Sequence, residues 1–139
     1  MTGVTDRKEI QARLDASPAI AFMQLRVTDI DPAAGTIAMT MPMRPEFERE
    51  AGSGQFHGGP IASLIDTVGD FAVVMAVGGS IPTINFRVDY LRPSGGPYLV
   101  GRALIRRVGR TVGLIDIDVF DDKGRLTAVG RGTYAIPNS

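Results

Sequence analysis

The apolar positions change their period along this chain, and each change marks an element. Residues Gly58–Val77 are apolar on nearly every side, which predicts one long buried helix. Pro60 suits its first turn and Gly78-Gly79 supply its stop. Beyond it the period falls to two. Ile84, Phe86, Val88 and Tyr90 alternate with Asn85, Arg87 and Asp89, as on a strand. After a loop at Pro93–Pro97, Tyr98–Val108 reads as a long strand turning at Gly109-Arg110. Thr111–Phe120 follows, with Ile115, Ile117 and Val119 opposite Asp116 and Asp118. Asp121–Gly124 is a hairpin turn before a last strand, Arg125–Ile136.

Upstream, Thr5–Ala16 predicts a helix, with Ile10 and Leu14 four apart and acids early. Ser17-Pro18 breaks it, and Pro18–Met23 makes a short second turn. Leu25–Ile30 and Thr36–Met43 read as strands joined by the turn-rich Asp31–Gly35, and Arg44–Phe56 as a polar loop. The βα alternation of a parallel sheet is missing. The pattern therefore predicts an α+β domain, an antiparallel sheet with one buried helix across it. At 139 residues the chain suits a single domain, 1–139, whose residues 1–23 form an N-terminal helical segment.

Composition narrows the chemistry. Net formal charge is zero, so nothing points to nucleic acid or to an anionic membrane surface. With no cysteine and one histidine, disulfides, thiolate catalysis and Cys- or His-rich zinc sites are excluded. The apolar run Ile61–Val77 is short for a membrane span and carries two Asp near its centre, each costing a few kcal/mol there. The N-terminus has Asp6, Arg7, Lys8 and Glu9 and no apolar run behind them, unlike a signal peptide. The expectation is a cytoplasmic protein with no membrane partner.

The candidate chemistry sits on the long helix. Gln55-Phe56-His57-Gly58-Gly59-Pro60 opens it, and Asp66 and Asp70 lie mid-helix. Ser63, Asp66, Thr67 and Asp70 share one face, which is either a solvent stripe or the lining of a cleft or subunit interface. Asp is a poor choice for an ordinary exposed helix interior, which favours the second reading. Gly58-Gly59 either leaves free N–H groups that could hold an oxyanion, or only permits the turn. His57 either serves as an acid, base or carbonyl ligand, or ties down backbone. Gly52-Ser53-Gly54 imitates a dinucleotide fingerprint but lacks the third glycine and the preceding strand. Arg106, Arg107 and Arg110 cluster at one hairpin and Arg92 lies in another loop: solvated charge, or a phosphate site.

These residues together resemble a known family. His57-Gly58-Gly59, an acid nine positions after the His, Thr83 opening the next strand, Tyr90-Leu91-Arg92-Pro93, Arg107-Val108-Gly109-Arg110 and the closing Gly124…Ala128…Thr133-Tyr134 are similar to the hotdog-fold acyl-CoA thioesterases, the PaaI-like phenylacetate-pathway branch above all. The resemblance runs from about Leu25 to Ile136. It implies a curved antiparallel sheet wrapped around the Gly58–Val77 helix, and a homodimer or homotetramer with active sites at the dimer interface. It implies hydrolysis of a CoA thioester to free acid and CoA, with no metal and no cofactor beyond the CoA of the substrate.

By the same resemblance Asp66 is the base or nucleophile and Gly58 the oxyanion N–H. His57 is the motif histidine, and Thr83 positions water. Asp70 stands where relatives carry a hydroxyl that helps hold the water. The implied substrate-binding set is Gln55, Gly59, Arg92, Pro93, Arg107, Gly109, Arg110 and Thr111. At Ala51 many relatives carry Asn or Gln, so Gln55 or Glu50 would have to substitute. An enoyl-thioester hydratase or dehydratase, and a non-catalytic acyl-CoA-binding protein, are the alternatives on the same fold.

Overall fold

The computed structural model describes residues 2–137. In chain order the elements are α1 (Arg7–Ala16), α2 (Pro18–Met23), β1 (Arg26–Asp31), β2 (Thr36–Pro42), a 3-10 turn (Pro45–Phe47), α3 (Gly58–Val77), β3 (Thr83–Tyr90), β4 (Tyr98–Val108), β5 (Val112–Asp121) and β6 (Leu126–Ala135). All six strands form one antiparallel sheet in the order β1-β2-β4-β5-β6-β3. The α+β reading holds, with each strand boundary within two residues of the expected one.

The sheet curls around α3, which packs against β2, β3, β4, β5 and β6. Alternation explains which face is inside. On β5, Ile115, Ile117 and Val119 are buried while Asp118 faces solvent. From α3, Leu64, Ile65, Val68, Ala72 and Val73 are fully enclosed. Each large aliphatic side chain buried this way contributes about 1.5–3 kcal/mol. The close approach needs small residues on the sheet. A methyl group on Gly130 would overlap Ile65, and one on Gly101 would press on Val68 and Leu64. Among the described residues α3 alone is long and apolar enough to cross a bilayer, and its buried side chains are those that fill this core.

Two details depart from the expectation. Helix α1 starts at Arg7, not Thr5, because the Asp6 carboxylate caps it by accepting from the Lys8 N–H at 2.9 Å. The segment 44–56 is not simply polar. Phe47 and Phe56 are both buried, with ring centroids 6.4 Å apart, and the Phe47 carbonyl accepts from the His57 N–H. Two isolated aromatics give no periodic signal, yet they anchor the loop that leads into α3.

The two sheet edges differ. Edge β1 is bulged between Val27 and Asp29 and is covered by α1. Gln11 of α1 bonds the Leu25 carbonyl and the Val27 N–H, and Arg7 bonds the Val27 carbonyl. Edge β3 is bare, and most of its residues are exposed, among them Ile84, Phe86 and Tyr90.

Candidate active site

The start of α3 leaves the Gly58 backbone donor free. His57 is the N-cap, and its Nδ1 accepts from the Gly59 N–H at 3.3 Å. Pro60 has no N–H to satisfy. The Gly58 N–H has no hydrogen-bond partner among the described residues. Its carbonyl accepts from the Tyr90 hydroxyl at 2.7 Å, which ties the helix start to the end of β3. The positive end of the helix dipole adds to the pull of this N–H on an anionic oxygen.

Two turns along α3, Asp66 is half-buried. Thr83 donates to Asp66 Oδ1 at 2.8 Å. Strand β3 is bulged between Thr83 and Asn85, and bulges re-aim side chains. Behind Asp66 stands Tyr134 of β6, fully buried, whose hydroxyl donates to the Asp66 carbonyl at 3.1 Å. Added methyls on Gly69 and Gly132 would collide with that hydroxyl, so both glycines are needed for it to reach the helix. Burial, then the carboxylates of Asp66 and Asp70, hold the Tyr134 phenol far above its ordinary range. It is a neutral donor.

Asp70 follows one turn after Asp66 and is also half-buried. Burial, and secondarily the Asp66 charge, push its carboxyl from 3.8 up to about 7. The rest of the polar stripe is inert. Thr67 donates to the carbonyl of Ser63 in its own helix, and Ser63 is exposed. The stripe thus reduces to two carboxylates of unlike character.

A cleft of about 460 Å³ opens at the helix start. Arg49, Glu50, His57, Gly58, Tyr90, Leu91, Arg92 and Pro93 are among the residues lining it. A larger depression of about 590 Å³ lies on the outer face of the sheet. There Arg131 and Arg106 pair with Asp116, and Arg87 with Asp89, so it is a solvated ion-pair surface away from α3.

Comparison with known proteins agrees with this geometry. The family model of the thioesterase superfamily matches residues 53–128. The chain belongs to the thioesterase superfamily. A protein of Halobacterium salinarum named "Putative esterase" is 34% identical over 138 residues, covering 91% of this chain and 89% of its own length. Among solved structures, the phenylacetic acid degradation-related protein of Ralstonia eutropha superposes with a TM-score of 0.79 at 26% identity, covering 91% of this chain and 98% of that one. The Escherichia coli PaaI protein superposes with a TM-score of 0.80 at 22% identity, over 95% and 94% of the two chains, and so shares the hotdog fold.

In this thioesterase-superfamily chain the expected site residues fall into three groups. Gly58, Gly59, His57, Arg92 and Pro93 meet at the helix start and the cleft beside it. Asp66, Asp70 and Thr83 meet further along α3. Arg107 lies at the end of β4, and Gly109, Arg110 and Thr111 form the β4–β5 turn, at the same end of the sheet as the start of β3. That turn and Arg92 lie at opposite ends of a strand pair roughly 25 Å long. Near the loop, Glu50 lines the cleft, whereas Gln55 pairs with Gly95.

Sequence reasoning did not single out three residues that the structure places here. Tyr90 appeared only as part of a motif, and its hydroxyl contact needs the fold. Arg49 sits in an irregular loop. Tyr134 likewise appeared only as part of the closing motif, and the one available signal for its contact was glycine at 69 and 132, small residues where an ordinary helix and strand would carry larger ones.

Proposed function

We propose that this protein hydrolyses acyl-CoA or aryl-CoA thioesters to the acid and CoA, as a homodimer or a homotetramer built from such dimers. The observation that carries the reading is the pairing of a Thr83-held carboxylate at Asp66 with the unpartnered helix-start N–H of Gly58. Asp66 takes the proton of an attacking water. The Gly58 N–H receives the charge that develops on the thioester carbonyl oxygen.

Geometry supports a site shared between subunits. Gly58 and Asp66 are eight positions apart on one helix, about 12 Å along its axis. A base and an oxyanion donor must each come within about 3 Å of neighbouring reacting atoms. One chain cannot bring its own pair together. A second copy, its bare β3 paired antiparallel to the first, runs its α3 the opposite way. Gly58 of the partner subunit then lies beside Asp66, and the β4–β5 turn of the partner subunit lies beside the Arg92 end of the cleft. The exposed apolar residues of β3 support this pairing, since an uncovered edge of that kind invites a partner strand. Arg92, Arg107 and Arg110 then become candidates for the CoA phosphates.

A screen of short, long and aromatic CoA thioesters, read by thiol release, tests the reading. Turnover on at least one class is expected. Tight binding without release would favour a sensor, and hydration of an enoyl thioester without hydrolysis would favour a hydratase.

A further inference from the structure

We propose that Asp70 works as a neutral acid, an O–H donor to the water that Asp66 deprotonates, so that the site carries one negative charge rather than two. This rests on the reading of Asp66 as the base of a thioester hydrolase. Three observations carry it. Asp70 lies on the same face of α3 as Asp66, one turn or about 6 Å further on. It is half-buried, and its neighbours Gly69, Phe71, Val73 and Val74 are buried. Among the described residues no Lys, Arg or His lies within ion-pair distance of it, and no side chain donates to it.

Within one chain the groups that face the pair offer no counter-charge. Asp66 is the charged neighbour on α3 itself. From β6 comes the neutral Tyr134, with its proton committed to the Asp66 carbonyl. From β3 comes the Thr83 hydroxyl, committed to Asp66 Oδ1. Arg131 of β6 points away and is bonded to Asp116. Two carboxylates in such a place cannot both ionise cheaply, and the unpaired one keeps its proton. Asp70 is displaced toward neutrality in keeping with this.

A protonated carboxyl donates one hydrogen bond and can still accept. A water lying between the two acids would accept from Asp70 and donate to Asp66, which aims its oxygen lone pair at the thioester carbon. As the water attacks, its proton moves to Asp66 and negative charge grows on the carbonyl oxygen. Asp70 transfers nothing. Ionised, it would lose its donor and set a second negative charge beside the forming oxyanion.

The test is the pH profile of kcat/KM on a thioester turned over by the parent enzyme. The parent should lose activity as pH rises through about 7. Asp70→Asn keeps an N–H donor and cannot ionise, so the alkaline fall should vanish. Asp70→Leu should lose at least about tenfold in kcat below pH 7, where the parent's Asp70 holds its proton, with KM changed less than about twofold. An alkaline fall that persists unchanged in Asp70→Asn would overturn the proposal. So would an Asp70→Leu enzyme as active as the parent. A second readout needs no substrate: carbon-13 carboxyl NMR of Asp-labelled protein, with the Asp70 signal assigned by its loss in Asp70→Asn. A midpoint near 7 supports the proposal and one below 5 overturns it. A parent enzyme inert on all thioesters, with Asp70 still titrating near 7, would instead defeat the hydrolase reading and the donor role together, leaving the neutral carboxyl as fact.

Discussion

The Thr83 hydroxyl donates to Asp66 Oδ1 over 2.8 Å, across the gap between the bare edge strand and the central helix. That single bond fixes the carboxylate's rotamer and leaves Oδ2 as its free oxygen. Thr83→Val removes the donor and nearly preserves shape. We expect kcat to fall about tenfold with KM little changed, in line with the roughly 1–1.5 kcal/mol of a positioning hydrogen bond. Thr83→Ser should recover most of the loss. A Val variant as fast as the parent would show that Asp66 needs no such anchor.

The shared site makes a sharper claim. Gly58→Pro deletes only the N–H at a position where Pro is favoured, and the extended His57 backbone (φ −66°, ψ 153°) suits a following Pro. The Tyr90 hydroxyl, 3.1 Å from where a Cβ would stand, has to give slightly. Homodimers of Gly58→Pro and of Asp66→Asn should each be inactive. Mixed after unfolding and refolding together, they should regain about a quarter of parent activity. Half the dimers are then mixed, and each of those holds one intact site. A site contained within one chain predicts no recovery.

Asp70 leaves a mark on stability as well. A carboxyl whose folded pKa lies above its unfolded value binds its proton more tightly when folded. The fold is therefore most stable, with respect to this group, below about pH 4, and it loses stability as pH rises from 3.8 to about 7. Asp70→Asn escapes that loss. Its advantage over the parent in urea denaturation should be absent at pH 4, grow through neutrality and level off above pH 8, at on the order of 2–4 kcal/mol. An advantage that is the same at both pH values would mean the substitution acts through packing.

The arginines of the β4–β5 turn should bear on binding, not chemistry. Arg110→Ala is expected to raise KM for CoA thioesters several-fold with kcat nearly unchanged, the pattern of lost uniform binding. The matching N-acetylcysteamine thioester has no phosphate and should be indifferent to the change. Added salt should weaken binding of the CoA substrate by the parent enzyme. An equal loss on both substrates would make Arg110 structural.

How much of this could be read from the residues is clear from particular cases. The long apolar run Gly58–Val77 and the alternation Ile84–Tyr90 carry strong periods, so α3, β3 and their order were legible. So was Asp66, a carboxylate out of place in an apolar helix and nine residues beyond His57. His57 left two readings open, and the structure shows its Nδ1 engaged as the helix cap. The role of Tyr134 was not legible, because it depends on a contact between β6 and α3 made possible by Gly69 and Gly132, residues 65 and 2 positions away from it. The differing fates of the two sheet edges were also hidden, since α1 covers β1 through the side chains of Gln11 and Arg7 and nothing in the alternation records that.

The central claim is that Asp66 is the base of a thioester hydrolase. Its most direct test is thiol release from a panel of CoA thioesters by the parent enzyme and by Asp66→Asn, with folding checked by circular dichroism. The account predicts turnover by the parent and a loss of at least about a hundredfold in kcat for a variant that remains folded. A folded Asp66→Asn enzyme that releases thiol at the parent rate would contradict it.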